Sequence, residues 1–192
     1  MNQGNRPDGF TLVELIMVML LVGILAGIAV PLLRPEKFQL DSAVVAIGSA
    51  FTAQQRNAVL RQHDIVIAVD SSANRLRVHY DADNDAVVDA GEQWSVVELD
   101  AGVIFGKGNA TSRPMSNLSI SFSTKQDGMP ALTFSRNGAA SEESIIYLTS
   151  QRAGNSSGSS AFSGDTRAIE IERATGRVRC YSNNSGGWVQ TC

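Results

Sequence analysis

The feature that most constrains this chain is a long apolar run near its amino terminus. Residues 10–33 contain a single charged side chain, Glu14. As one helix rising about 1.5 Å per residue, the run would reach roughly 36 Å, enough to cross a hydrocarbon core of about 30 Å. We therefore expect a membrane-spanning helix. Arg6 in the short polar segment before it favours a cytoplasmic position for that end.

Two ordinary explanations compete for the apolar run. One is a cleavable secretory signal peptide, cut at small residues near 26–29, and the other is a plain single-span anchor. Glu14 argues against both, because a carboxylate inside an apolar segment costs free energy and usually marks a function.

Residues 9–15, with the sequence GFTLVEL, resemble the class III signal of type IV pilins and pseudopilins. The resemblance implies that a prepilin peptidase cuts after Gly9 and methylates the new amino terminus on Phe10. The apolar helix then stays in the mature chain. Pro31 stands where many pilins carry a helix-bending proline, and Pro35 is a second expected break, because proline lacks the N–H that continues a helix.

The resemblance and the chemistry give Glu14 the same role. In a stack of helices, a suitable partner for its buried carboxylate is the terminal ammonium of Phe10 on a neighbouring subunit. Such a pair would set the axial register of a filament. The alternative is that Glu14 only extends to the lipid headgroups.

The remaining composition is that of one globular domain. Of 192 residues, 43% are hydrophobic and 18% are charged, which is typical of a chain that buries a core. The formal net charge of -3 argues against nucleic-acid binding through bulk charge and leaves only local basic strips.

Helical periodicity continues through residues 34–63. Five apolar residues fall on one face of this segment: Leu40, Val44, Ile47, Phe51 and Ala58. Gly48 is an internal weak point that costs roughly 1 kcal/mol relative to alanine. We expect this amphipathic helix to pack its apolar stripe against whatever follows it.

The segment that follows, residues 64–192, has the pattern of antiparallel strands. Turn residues separate short alternating runs at 65–69, 76–80, 94–99, 118–123, 132–135, 145–149, 168–172 and 177–181. The predicted fold class is α+β, with a long amino-terminal helix, half membrane and half amphipathic, on an antiparallel β-sheet. The predicted organisation is a leader peptide (1–9), a filament-core helix (10–33), its amphipathic continuation (34–63) and an exported domain (64–192).

A second resemblance lies towards the carboxyl end. Residues 134–139 (FSRNGA) and 169–179 (IEIERATGRVR) resemble the strand-turn-strand pattern of the GspH/FimT group. That group comprises minor pseudopilins of type II secretion and minor pilins of type IV pili. The resemblance implies an inner-membrane, single-pass subunit whose domain is periplasmic or extracellular and whose partners are the peptidase and other subunits.

Cys180 and Cys192 are the two cysteines of the chain. In an exported domain they can oxidise, and closing a loop of this size contributes roughly 3 kcal/mol in the chain-entropy model. We expect a disulfide that holds the tail. The alternative is a packed free Cys180 and a loose terminal thiol.

An acidic stretch at residues 81–92 has the spacing of an EF-hand calcium loop. Its candidate ligands are Asp81, Asp83 and Asp85 directly, Val87 through its carbonyl, Asp89 through water and Glu92 in bidentate fashion. Ala86 replaces the glycine expected at the sharp turn, and the flanking segments are predicted strands instead of helices. The alternative is a solvated acidic hairpin tip, so calcium is a possible ligand and no cofactor is required.

The sequence Gly176-Arg177-Val178-Arg179 predicts a local basic strip, with Arg167 and Arg173 nearby. Some pilus-associated members of the resembling group bind DNA during uptake, and this motif is similar to the one implicated. A few arginines contacting phosphates would give weak, salt-sensitive binding. The alternative is an ordinary edge strand, because Glu170 and Glu172 lie close by.

An enzyme is the remaining class of function, and the sequence gives it little support. His63 and His79 are the two histidines, and neither lies in a metal-binding or nucleophile motif. We expect both at surface or interface positions. We predict a structural subunit that is not an enzyme; the alternatives are a DNA-binding minor pilin and, further off, a membrane-anchored enzyme or binding domain.

Overall fold

The computed structural model describes residues 10–29, 35–85, 88–89, 91–156, 162–184 and 187–192. Its contacts form two compact units, Met1–Pro35 and Glu36–Cys192. Within the described residues, the helices are α1 (Leu12–Ala29), α2 (Pro35–Arg61) and α3 (Gln151–Asn155). The strands are β1 (Asp64–Asp70), β2 (Arg75–Asp81), β3 (Trp94–Glu98), β4 (Val103–Phe105), β5 (Thr124–Gln126), β6 (Met129–Phe134), β7 (Ser144–Ser150), β8 (Thr166–Ile171), β9 (Val178–Asn184) and β10 (Gly187–Gln190).

The α+β fold class is confirmed, and the strands divide into two five-stranded sheets. One has the order β3-β2-β1-β6-β5 and the other β10-β9-β8-β7-β4. Every pairing between these strands is antiparallel. We call them the first and the second sheet.

Helix α2 packs its predicted apolar stripe into the main core. All five stripe residues are buried, together with inward-facing residues of both sheets. Phe51 is at the centre, with its ring edge-on to Phe122 and Phe134 at centroid distances of 6.5 and 6.3 Å. Fully burying one such side chain contributes about 1.5–3 kcal/mol, so the stripe is the main reason that α2 stays on the sheets.

The ends of α2 follow from local chemistry. The helix begins at Pro35, where a proline is tolerated because the first N–H of a helix has no partner inside it. The expected break at Pro35 is compatible with these bounds, because α1 ends at Ala29 and a separate helix begins at Pro35, with residues 30–34 outside the described part. The helix ends at Arg61, two residues before the predicted end, because Gln62 takes a left-handed conformation with φ of 59°.

Polar contacts also attach α2 to distant parts of the chain. Arg167 on β8 is buried and donates from Nε to Asp41 Oδ1 at 2.6 Å. Gln55 donates to the carbonyls of Gly138 (3.4 Å) and Thr175 (3.2 Å), which belong to two separate turns. These directional bonds fix the position of α2 along its own axis relative to the sheets, which the apolar stripe alone does not.

Seven of the predicted strands correspond to β1, β2, β3, β6, β7, β8 and β9. The prediction for 118–123 is wrong. Within that segment the described residues make one isolated bridge, between Ile120 and Ile146, so its alternating residues lie across β7 without forming a ladder. The short strands β4, β5 and β10 were not predicted.

Candidate functional site

Phe10, the residue that follows the predicted cleavage position, is exposed. Gly9 and Pro31 lie outside the described residues, so the cleavage and the kink stay predictions. Thr11 caps α1, because its Oγ1 accepts the backbone N–H of Glu14 at 3.2 Å. This is half of a capping box, in which a threonine is followed three residues later by glutamate, a spacing that is visible in the sequence.

Helix α1 carries apolar side chains on all of its faces. In the single chain, its large described hydrophobic side chains are more than half exposed, from 52% for Ile16 to 86% for Phe10 beside it. Within the described residues, the Glu14 carboxylate makes no hydrogen bond or ion pair. The helix therefore presents an uncovered apolar surface interrupted by one unpaired carboxylate near its start.

Among the described residues, no helix combines the length and the hydropathy needed to cross a membrane. The predicted span at 10–33 runs into residues 30–34, which lie outside the described part.

The acidic loop brings three of its predicted ligands together. One carboxylate oxygen each from Asp81, Asp83 and Asp85 lies within 4.8 Å of the other two. Calcium binds oxygen at 2.3–2.6 Å, so two ligands of one ion are at most about 5 Å apart, and the three oxygens fit this limit. Asp81 is buried and accepts the N–H of Asn84 at 2.7 Å, whereas Asp83 and Asp85 are exposed.

Of the other predicted ligands, the described Asp89 and Glu92 do not join this cluster. Glu92 accepts the N–H of Ala82 at 2.8 Å with one oxygen and the N–H of Asp89 at 3.1 Å with the other. Its carboxylate thus ties the two sides of the loop together. Val87 lies outside the described residues. The calcium site therefore stays a prediction.

The basic strip is only partly available for an anion. Arg177 is exposed and, within the described residues, makes no ion pair, but Arg179 Nη2 lies 3.7 Å from Glu172 Oε2. Arg179 is also the cross-strand partner of Glu170. Arg167 points to Asp41 and is buried, so it cannot reach a ligand at the surface. DNA binding at Arg177 and Arg179 stays a prediction.

The predicted disulfide between Cys180 and Cys192 is confirmed. Cys180 is fully buried on β9, and Cys192 is exposed. Gly48 faces the bond: a Cβ at this position would lie 3.0 Å from Cys180 Sγ and 3.9 Å from Cys192 Sγ. The glycine that weakens α2 therefore makes room for the disulfide.

His79 was predicted at a surface or interface position, and the surface position is wrong. Its side chain is 7% exposed and stacks on Trp94, with ring centroids 6.3 Å apart. Burial lowers the pKa of His79 below its ordinary value, because the charged form loses hydration. His63 is half-buried.

An aromatic and ionic cluster on the second sheet was not predicted. Arg113 pairs with Glu170, and its guanidinium lies 3.5 Å from the ring centroid of Tyr181 and 5.9 Å from that of Trp188. The Tyr147 hydroxyl accepts the N–H of Arg113 at 2.8 Å and donates to the carbonyl of Ser116 at 2.9 Å. Burial raises the pKa of Tyr147.

The amino-terminal segment of this chain matches a known family. Residues 5–30 match the family described as the prokaryotic N-terminal methylation motif. Pilin-like protein PilA1 of Thermus thermophilus is 29% identical over 102 residues, which cover 53% of this chain and 62% of that relative. The comparisons thus show the methylation motif in the amino-terminal segment and a likeness to a pilin-like protein over about half of this chain, which spans less than two thirds of that relative's length.

Two solved structures of the minor pseudopilin EpsH, from the Type 2 Secretion System of Vibrio cholerae, also match this chain. Their TM-scores are 0.46 and 0.48, each at 10% identity. The matches cover 75% and 79% of this chain, and 97% and 99% of those structures.

Proposed function

We propose that this chain is a minor pilin or pseudopilin of the GspH/FimT type, built into a type IV pilus or a type II secretion filament. The observation that carries the proposal is α1, whose apolar side chains are exposed all round in the single chain. A soluble monomer rarely leaves so much contiguous apolar surface in water. Lipid covers the helix before assembly, and neighbouring helices cover it in the filament.

Glu14 supports the same proposal. Its carboxylate has no partner among the described residues and lies one turn from Phe10, whose amine becomes the terminal ammonium after cleavage. An unpaired carboxylate in an apolar environment is costly, and pairing with the ammonium of a neighbouring subunit removes that cost. The pair sets the axial position of each subunit.

The GspH/FimT assignment draws support from the two carboxyl-terminal turns. Gly138 and Gly176 both have positive φ, at 86° and 64°, and Gln55 of α2 binds a carbonyl in each turn. The residues that carry the resemblance therefore have a shared structural role in joining the helix to both sheets.

Cleavage is the first test. Gly9→Val should keep residues 1–9 attached, because a branched side chain stands at the cleaved bond, and it should block assembly. Gly4→Val, the same change within the leader, should be cleaved normally. Intact-mass spectrometry of the membrane fraction distinguishes them. A wild-type chain that keeps its first nine residues, or that begins near Val30, would contradict the proposal and favour a membrane-anchored enzyme or a secreted domain.

Filament register is the second test. Glu14→Leu should insert into membranes at least as well as wild type, yet copurify poorly with filaments, because the ammonium of Phe10 loses its partner. Thr11→Ala is the matched control, since it removes the helix cap and keeps the carboxylate. Equal incorporation of wild type and Glu14→Leu would refute the register role. Equal losses of filament incorporation in both variants would indicate that Glu14 acts only through the helix cap.

DNA binding through residues 176–179 is the second candidate function, and the exposed Arg177, unpaired within the described residues, is the observation that favours it. Retention of the purified chain on double-stranded DNA should fall steeply with salt. Arg177→Ala should weaken it more than Arg179→Ala, because Arg179 is already engaged by Glu172. Retention that both variants leave unchanged would remove this candidate.

A further inference from the structure

We propose that the carboxyl-terminal segment 187–192, here called the strap, is a redox-operated latch that holds residues 111–116 against the second sheet. The strap contains β10 and Cys192, and residues 111–116 form the part of the loop after β4 that contains Arg113 and contacts the aromatic residues of the second sheet. Among the described residues, Trp188 of the strap contacts both Thr111 and Arg113.

One half of the latch is fixed in the core. Cys180 is fully buried on β9, and its Sγ lies against α2 at Gly48. The backbone of β9 pairs with β8 over five residues, which holds this sulfur in place whatever the state of the bond. Cys180 is therefore the anchor of the latch.

The other half is an exposed edge strand. Among the described strands, β10 pairs only with β9, and most of its residues are exposed, including Val189 at 52%. The Thr191 N–H donates to the carbonyl of Cys180 at 2.8 Å, directly beside the disulfide. A short edge strand with little buried apolar area is marginal alone, so the disulfide supplies much of its attachment.

Trp188 transmits the state of the strap to residues 111–116. Its Nε1–H donates to the carbonyl of Thr111 at 3.0 Å, and its ring packs on Tyr147 at a centroid distance of 5.8 Å. The same ring faces the guanidinium of Arg113. When the strap leaves the sheet, the hydrogen bond and both ring contacts are lost together.

The latch closes by thiol-disulfide exchange between the two cysteines and an external disulfide. The two thiols give up two electrons and two protons to the disulfide of a thiol-disulfide oxidoreductase, which leaves as a dithiol. Cys192 is the exposed sulfur and so the one that such an enzyme reaches. The oxidising location rests on the proposed function, but the latch is a property of the purified chain and is tested without it.

Hydrogen exchange measured by mass spectrometry tests the latch in the purified full-length chain in detergent. Treatment with a phosphine reductant should speed exchange of residues 187–192 and of residues 111–116 by roughly tenfold or more. The β1–β2 hairpin should keep its protection. Cys192→Ser without reductant should match the reduced wild type, and the reductant should not change this variant further.

A second variant separates the effect of the disulfide from the effect of the contact between Trp188 and residues 111–116. Trp188→Phe keeps the disulfide and removes the donor to Thr111, so exchange should rise at 111–116 and stay low at 190–192. Unchanged exchange at 111–116 after reduction, or in Trp188→Phe, would overturn the latch. Faster exchange throughout the domain on reduction would overturn it too, because the bond would then stabilise the whole fold.

Discussion

Replacing Gly176 with alanine tests the junction at which α2 meets the two carboxyl-terminal turns. Gly176 has φ of 64°, a conformation that residues with a Cβ adopt at a cost. An added Cβ would overlap the carbonyl oxygen of Gly138 and lie 2.9 Å from Gln55 Cγ and 3.3 Å from the ring of Phe134. The oxygen belongs to backbone held on both sides, so it cannot move aside without shifting a turn.

The magnitude combines two contributions. The left-handed conformation costs a residue other than glycine about 1–2 kcal/mol. Overpacking against groups that cannot relax typically costs about 1–3 kcal/mol more. Gly176→Ala should therefore lower the free energy of unfolding by about 2–5 kcal/mol, a large part of the stability of a domain of this size.

Gly128→Ala is the matched control. Gly128 lies in the turn between β5 and β6 with φ of 77°, and an added Cβ there meets no described atom within 4 Å. It should show only the conformational cost, about 1–2 kcal/mol. Urea unfolding of both variants, followed by far-ultraviolet circular dichroism, gives the comparison. If Gly176→Ala is no more destabilising than Gly128→Ala, the close approach of the two turns is not a constraint.

Two further predictions concern charged side chains. Hydrogen bonds from Ser72 and Arg77 lower the pKa of Asp70. The ionised carboxylate therefore stabilises the fold above about pH 3.9, and this stabilisation is lost as pH falls towards the folded-state pKa. The urea midpoints of wild type and Asp70→Asn should converge at acid pH, and a constant gap between them would contradict this. For the acidic loop, free calcium at 100 times its dissociation constant should stabilise the fold by about 2.7 kcal/mol in thermal melts. Glu92→Gln should remove most of that shift and Glu98→Gln, outside the loop, should not; an unchanged wild-type melt between chelator and roughly 10–20 mM calcium would leave a solvated turn.

The parts of the fold that depend on local periodicity were predictable. The stripe from Leu40 to Ala58 follows the helical period, and the turn at 70–74 separates a continuous apolar run at 65–69 from the alternating residues 75–80. The strands β4, β5 and β10 have three or four residues each, too few to show a period. Their positions follow from pairing with neighbours already in the sheet, which is information that a linear pattern does not carry.

The candidate sites also divide into those with a local sequence signal and those that depend on contacts between distant residues. Glu14 stands out because one charge in an apolar run is a local anomaly, and Asp81 and Asp83 stand out through their spacing. The cluster around Arg113 gave no such signal, because its partner Glu170 is 57 positions away and Trp188 is further still. The exposure of Arg177 beside the engaged Arg179 likewise depends on which carboxylates the turn brings close.

The long-range bonds of α2 have a consequence for the biosynthesis of the chain. Asp41 and Arg167 are 126 positions apart, and Gln55 and Thr175 are 120 positions apart. At a synthesis rate of about 5–20 residues per second, roughly 6–25 seconds pass between the making of the helix and that of these partners. During this interval the apolar stripe around Phe51 lacks the second sheet. A nascent chain arrested before Arg167 should therefore be a substrate for chaperones that bind exposed apolar helices.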